Sequence, residues 1–339
     1  MVLVTGATGF VGAHLLFYLL GKEVKIKALY KNEASIEKVR FLFGLYHPNP
    51  DELIKRISWH KADITDITTL ENVLDKIEKI YHLAAKVDFS SAQKDNIYQI
   101  NVEGTKNLLN LALEYKIDKF FYMSSIAALG SYDQPVTEKT FWSWKEKGSY
   151  YAKTKYLAEM EVWRATQEGL NCIIVNPSVI LGAWLSKQGP MRIFDKVYNG
   201  LKFYPPGSTG FIDVWDVVKL SYQLMESNRV NDSFILSAYN VYYKNLLDTI
   251  ANTFHKKPPS IALKKWMIYP VMSLSNFFAN IFKINILPEP EIIYSLFSTT
   301  EYSDKKLRKV LNVNYIPLDF TIKNICEKYL KFKKESINV

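Results

Sequence analysis

Through the first half of the chain, short apolar runs alternate with longer stretches in which apolar residues recur at helical spacing. The short runs are Val2–Thr5, Val24–Leu29, Ile57–Lys61, Lys79–Leu83, Lys119–Met123 and Cys172–Asn176. The longer stretches include Val11–Leu20, Leu70–Ile77 and Tyr98–Glu114. Short apolar runs bounded by turn residues fit buried strands. Strands alternating with helices at this spacing predict an α/β fold, a parallel sheet with helices on both faces.

The rhythm changes after Asn176-Pro177. Residues 182–210 carry Gly182, Gly189, Gly200, Gly207 and Gly210 with Pro205 and Pro206, and read as loop-rich with one helix near Met191–Asn199. Asp216 is placed to cap a helix running to Met225, and Ser233–Ser237 reads as a further strand. From about 244 the pattern is mostly helical, broken at Pro258-Pro259 and Pro288–Pro290. The predicted division is a nucleotide-binding unit over 1–176, to which 211–240 returns, and a smaller substrate lobe from 177–210 and 241–335.

Composition fits this division. A chain of 339 residues with 48% hydrophobic residues has material for one large domain and a lobe. The 22 Tyr and 19 Phe serve the core and the lining of an apolar pocket. Of the net charge of +9, +4 lies in the last 39 residues and the rest is spread thinly, as on solvated helix faces. No nucleic-acid partner is expected, while a weak attraction to anionic cofactors or lipid surfaces is compatible with it. Cys172 and Cys326 form no metal or disulfide pattern, and the chain opens at Met1 directly on a strand, so the expectation is a reducing, cytoplasmic setting without a metal. Trp266–Phe282 is apolar over 17 residues but contains Pro270, Ser273, Ser275, Asn276 and Asn280. Leu274, Phe277, Phe278, Ile281 and Phe282 mark one helix face, expected to pack on the protein itself, with weak membrane-surface contact as the lesser reading.

Residues 4–12 read VTGATGFVG, a strand leading into a glycine turn that opens a helix. Gly6, Gly9 and Gly12 let the backbone approach a pyrophosphate, and the helix start at Thr8, Phe10 and Val11 offers free N–H groups and partial positive charge. In nucleotide sites of this kind an acid about 20 residues further on binds the ribose 2′-hydroxyl of NAD. Here VKIKALYKN ends the second strand with Tyr30 and Lys31 and no carboxylate. Lys31 suits a 2′-phosphate, so NADP(H) is favoured with NAD(H) open; a solvated lysine is the plainer reading. Asp63-Ile64, in KADITD, suits an adenine contact, the carboxylate accepting from the exocyclic amine and Ile64 packing on the ring; a helix cap is the alternative. Ala84 and Ala85, in HLAAKV, are small enough to let the backbone lie beside a cofactor ribose.

SYYAKTKYLAE, residues 149–159, places Tyr151 and Lys155 four apart on one helix face. A phenol titrates near ~10 in water, too high for easy proton exchange at neutral pH. A neighbouring ammonium and an oxidised nicotinamide favour the phenolate, so Tyr151 is the candidate general acid or base. Tyr150 is the other tyrosine, but Thr154 stands where its lysine would be. YMSSIAALG ends the fifth strand with two serines; Ser125, before Ser124, is the candidate donor to the substrate oxygen.

With TGATGFVG, DIT, HLAAKV, NVEGTKNLL, YMSSIAALG, YAKTKYLAE and NPSVILG occurring in order, the chain resembles the extended short-chain dehydrogenase/reductases, the NAD(P)-dependent epimerase/dehydratase family. Within it, the chain is most similar to the dihydroflavonol-4-reductase-like and 3β-hydroxysteroid-dehydrogenase-like branch. The resemblance covers about residues 1–240 and implies a Rossmann-type doubly wound sheet with a mostly helical C-terminal substrate lobe. It implies Ser125, Tyr151 and Lys155 as the catalytic triad, Lys155 also holding the nicotinamide ribose. It further implies a nicotinamide contact from Pro177–Val179 and a structural role for Asn101. Family dehydratases carry an Asp-Glu pair after the catalytic hydroxyl residue; Ile126-Ala127 stand here, which argues against sugar dehydration. The later loop reads GAWLSKQ where close relatives show a GPGDW-like loop, so no substrate is inherited.

The leading expectation is hydride transfer between the cofactor and a carbonyl or secondary alcohol of a small, fairly apolar molecule. The alternative is a nucleotide-sugar epimerase holding NAD tightly, its diphosphate clamp drawn from Lys187, Arg192, Lys196 and Lys202. A third reading is a non-enzymatic nucleotide sensor or scaffold. Pairing into a homodimer stays open.

Overall fold

Seven parallel strands form the centre of the computed structural model, which describes residues 1–87, 94–130, 135–140, 142–143, 148–185, 189–267, 293 and 295–337. In chain order the strands are β1 Val2–Thr5, β2 Ile26–Tyr30, β3 Ser58–Lys61, β4 Lys79–His82, β5 Lys119–Met123, β6 Cys172–Pro177, β7 Val179–Leu181, β8 Phe203–Tyr204, β9 Ser208–Asp213, β10 Asp232–Leu236, β11 Tyr239–Tyr242 and β12 Ile261–Ala262. The main sheet runs β10-β6-β5-β4-β1-β2-β3. Alternate residues leave its two faces, as the strand period of two requires. Val2, Val4, Ala28, Tyr81, Phe121 and Val175 enter one core; Leu3, Leu29, Ile80, Phe120 and Ile174 enter the other. Both faces are covered, which is why these strands read as continuous apolar runs. β1 lies between β2 and β4, so the strand order reverses there and a crevice opens at the carboxyl ends of β1 and β4.

Most predicted elements recur within a residue or two. The predicted stretch Leu70–Ile77 becomes a shorter helix, Ile67–Glu71, capped by Asp66. The stretch Tyr98–Glu114 divides into Lys94–Tyr98, a π turn over Gln99–Glu103, and Gly104–Glu114. Asp216 is not the cap of its helix. Asp213, still extended at the end of β9, accepts from Trp215 N at 2.7 Å and starts the helix Val214–Glu226. Asp216 lies within the first turn, and its carboxylate accepts from Ile316 N at 2.9 Å. The loop-rich stretch before it ends in β9, fully buried, in a second sheet ordered β11-β9-β7. Of Trp266–Phe282, residues 268–282 lie outside the described residues, as does Lys187. Among the described residues no helix is long and apolar enough to cross a membrane. Cys172 and Cys326 are free and buried.

The C-terminal helix Leu318–Ile337 packs against the helix Tyr243–Thr253 and β9. Thr321 Oγ1 donates to Asp213 at 2.6 Å, and Tyr329 Oη to Asp195 at 2.7 Å. At the outer edge of the sheet, Ile235 N of β10 donates to Glu138 Oε1 at 2.9 Å, and Lys306 pairs with Asp232. Charge and side-chain hydrogen bonding thus guard an edge that would otherwise recruit another strand.

The helix Phe10–Leu20 is apolar nearly all round, because it lies between the sheet and the helices Ile36–Gly44 and Val214–Glu226. Its one titratable buried residue is His14, edge-on to Phe10, Tyr46 and Trp215. Its Nδ1 lies 2.8 Å from Phe10 O, and its Nε2 is buried with no hydrogen-bond partner. Burial pulls its pKa down to about 4; the Phe10 hydrogen bond opposes this and Lys328 adds to it. The unfolded chain takes a proton near ~6.5, so His14 contributes stability above that pH and loses it as pH falls toward 4. By pH 5 the loss should be about 2 kcal/mol. Asp216, pushed up to about 6 chiefly by burial, acts in the opposite sense. Urea unfolding of wild type and His14→Phe at pH 8 and pH 5 cancels the Asp216 contribution. The difference between them should move by about 2 kcal/mol in favour of phenylalanine. Equal losses in both proteins would exclude His14 as the acid-sensitive group.

Candidate active site

The glycine turn sits in the crevice, where the reversal of strand order puts it. Gly6 has φ +65°, and a Cβ there would lie 2.6 Å from Ala84 N; a Cβ on Gly12 would lie 2.1 Å from Gly6 O. Turn, helix and the loop after β4 therefore pack backbone to backbone, and only glycine fits at these two points. The helix amino end at Gly9 has no side-chain cap, and the first N–H to bond backward is that of Ala13, to Gly9 O at 2.9 Å. The preceding N–H groups, at Phe10, Val11 and Gly12, are those a helix start leaves for a ligand. This cradle fits a dinucleotide pyrophosphate.

Lys31 and Asp63, from the ends of β2 and β3, meet in an ion pair of 2.5 Å. Burial works to raise the Asp63 carboxyl, but hydrogen bonds from Lys31 and from Thr65 hold it below the usual carboxylate range. The two residues read separately in the sequence as phosphate and adenine contacts are thus partners. Ile64 is 7% exposed and packs against Gly104, so its side chain belongs to the core and does not stand free to stack on a ring.

A chain of contacts links the turn to the helix that carries Tyr151. Ala84 N donates to Thr5 Oγ1 at 3.3 Å. Two residues on, Lys86 N donates to Asn101 Oδ1 at 2.7 Å, and Asn101 Nδ2 donates to Lys86 O and to Thr154 Oγ1 at 3.1 and 3.0 Å. Asn101 lies in the π turn and straps the loop after β4 to the helix Tyr150–Gln167.

Ser149 caps that helix by accepting from Ala152 N at 3.2 Å. Tyr151 follows in the first turn and shares a hydrogen bond with Ser125, whose Oγ also accepts from Ala127 N at 3.1 Å. Burial pushes the Tyr151 phenol up to about 12, with the Ser125 hydrogen bond pulling the other way. The lowering expected from Lys155 is not among the influences on it. Lys155 Nζ instead donates to Met123 O at 2.8 Å and lies 4.3 Å from the centre of the Tyr122 ring. Burial pulls the Lys155 pKa down to about 7, against the raising effect of Glu159. Tyr150 is separate: its ring lies 5.3 Å from Lys94 Nζ and lines, with Tyr98, Lys153, Thr154 and Leu157, a cavity of about 360 Å³. Pro177 ends β6 and Val179 begins β7, joined through Ser178, whose N donates to Leu236 O at 2.9 Å.

Sequence reasoning missed Glu159. Ser124 Oγ and Asn176 Nδ2 both donate to its Oε2, at 2.8 and 3.0 Å, and Asn176 Nδ2 also donates to Ser125 O at 3.1 Å. Its position one helical turn beyond Lys155 was the available signal.

A glycine cradle on a doubly wound sheet, with Ser125, Tyr151 and Lys155 gathered beside it, defines the class of NAD(P)-dependent oxidoreductases. The chain belongs to the NAD-dependent epimerase/dehydratase family, whose model matches residues 2–241. It is 28% identical over 280 residues to a putative dihydroflavonol 4-reductase of Synechocystis, covering 78% of this chain and 75% of the relative. It is 26% identical over 261 residues to sterol demethylase protein B of Methylococcus capsulatus, covering 76% and 75%. The crystal structure of gox2253 matches with a TM-score of 0.81 and 26% identity over 98% of both chains. UDP-glucose 4-epimerase from Thermotoga maritima shares the fold, with a TM-score of 0.76 and 16% identity over 98% of this chain and 99% of that one.

Proposed function

We propose that the protein interconverts a carbonyl and a secondary alcohol on a small, fairly apolar substrate. The single observation that carries this is the Ser125–Tyr151 hydrogen bond at the carboxyl end of the sheet, with Lys155 one helical turn behind it. Tyr151 Oη passes a proton to or from the substrate oxygen, and Ser125 Oγ donates a hydrogen bond to that oxygen as charge develops. Lys155 would hold the nicotinamide ribose. The bound nicotinamide supplies or accepts the hydride. Residues 177–210 and 241–335 would shape the substrate lobe, with backbone at Pro177–Val179 meeting the nicotinamide amide and Ala84-Ala85 lying beside the ribose. The names of curated relatives, dihydroflavonol 4-reductase and cinnamoyl-CoA reductase, support a reductase. Arg192, Lys196 and Lys202, the described cations offered for the epimerase reading's diphosphate clamp, are exposed. Purified protein screened against carbonyl substrates with NADPH and NADH tests the reading; no turnover of any carbonyl or alcohol would leave it without support.

NADP(H) is the proposed cofactor. Lys31 is 72% exposed at the end of a strand that carries no acid, and Asp63 already holds it at the rim of the crevice. NADPH should bind more tightly than NADH in fluorescence titrations. Lys31→Ala should weaken NADPH about tenfold, the worth of one charge-assisted contact, and leave NADH unchanged. Tighter NADH binding, indifferent to Lys31→Ala, would reverse the assignment.

A further inference from the structure

Glu159 is 6% exposed and touches every element that carries the proposed chemistry. Through Ser124 it holds the end of β5, next to Ser125. Through Asn176 it holds β6 one residue before Pro177, and Asn176 in turn grips Ser125 O. On its own helix it stands one turn beyond Lys155. A buried carboxylate is costly unless it is hydrogen-bonded and balanced by charge. Burial pushes the Glu159 carboxyl up, and the hydrogen bonds from Ser124 and Asn176 and the charge of Lys155 pull the other way. The need is mutual. Lys155 is 1% exposed, with a backbone carbonyl and an aromatic face as its contacts, and neither carries a full negative charge. Glu159 is the carboxylate that acts on it.

Resting on the function proposed above, we propose that Glu159 is a positioning residue, whose carboxylate locks the Ser125 loop to the Tyr151 helix and serves as the counter-charge to Lys155 one turn before it. The titratable groups facing this pair are Tyr122 from β5, His82 from β4 and Tyr151 from the same helix. Burial holds the Tyr122 phenol well above its ordinary value and pulls the His82 imidazole down to about 3. Neither therefore carries a charge near neutral pH, and none replaces Glu159 as counter-charge.

Glu159→Gln keeps the shape and removes the charge. The titration of Lys155 is followed by NMR on protein with isotope-labelled lysine, its signal assigned by its loss in Lys155→Arg. Lys155 should titrate about one unit lower in Glu159→Gln than in wild type, the size of shift a nearby opposite charge gives. An unchanged titration would overturn the proposal. Glu159→Asp keeps the charge on a shorter arm; Lys155 should titrate near its wild-type value while kcat falls with KM little changed. Wild-type kcat in Glu159→Asp would remove the positioning role, and this variant decides the matter if Glu159→Gln does not fold. The NMR arm needs no substrate. A protein that shifts as expected but turns over no carbonyl would retain the charge pairing and lose the reductase reading.

Discussion

Tyr151→Phe should turn substrate over about 10²–10⁴-fold more slowly than wild type, because positioned proton transfer is worth that much. Phenylalanine keeps the ring in its buried place and removes only the hydroxyl shared with Ser125. Cofactor affinity should survive, since the glycine turn and Lys155 are untouched. Held up to about 12 by burial, the phenol is protonated at neutral pH. It is ready as the acid of carbonyl reduction before it is ready as the base of alcohol oxidation. Tyr150→Phe should be mild, because that ring lies against Lys94 and lines a cavity whose walls do not include Ser125, Tyr151 or Lys155. Steady-state kinetics of both variants on one substrate decide the matter. A dead Tyr150→Phe beside an active Tyr151→Phe would assign the chemistry to the wrong tyrosine, and full activity in both would remove the proton-transfer mechanism.

Gly9→Val should fold and fail to bind either nicotinamide cofactor. A Cβ at Gly9 meets only Gly6 O, at 3.2 Å, a tight contact that a small shift relieves. The branched side chain then fills the space in front of the helix amino end, where a pyrophosphate has to approach the backbone. The outcome should differ from a substitution at Gly12, whose Cβ would strike the turn itself. Circular dichroism and cofactor titration separate the two. A folded Gly9→Val protein with wild-type affinity would show that the turn does not hold phosphate.

Much of this molecule is legible in the chain because the physics is local. A strand buried on both faces has to be a continuous apolar run, and β1, β5 and β6 show it. The glycine turn and the Tyr151–Lys155 spacing are likewise patterns of near neighbours. What escaped depends on partners far apart. Lys31 and Asp63 neutralise each other across two strands, so neither shows alone what the other does. Asp213 and Asp216 are equally good caps by composition; the C-terminal segment decides between them, because Ile316 N requires Asp216. Glu159 looks like one more helical carboxylate until β5 and β6 close over it. The second sheet escaped because its strands pair around glycine-rich loops, with Gly210 inside β9.

The pairing of β10 with β6 has a consequence for how the chain is made. β6 is buried along its whole length, yet its outer neighbour is not synthesised until residues 178–231 have been added. During that interval the growing chain exposes an apolar row of unpaired N–H and C=O groups, and such an edge templates pairing with other chains. The Glu138 and Lys306 contacts that guard the finished edge act on β10, and Lys306 arrives later still. A chain that ended between residues 178 and 231 would lack β10 and leave the outer edge of β6 unpaired.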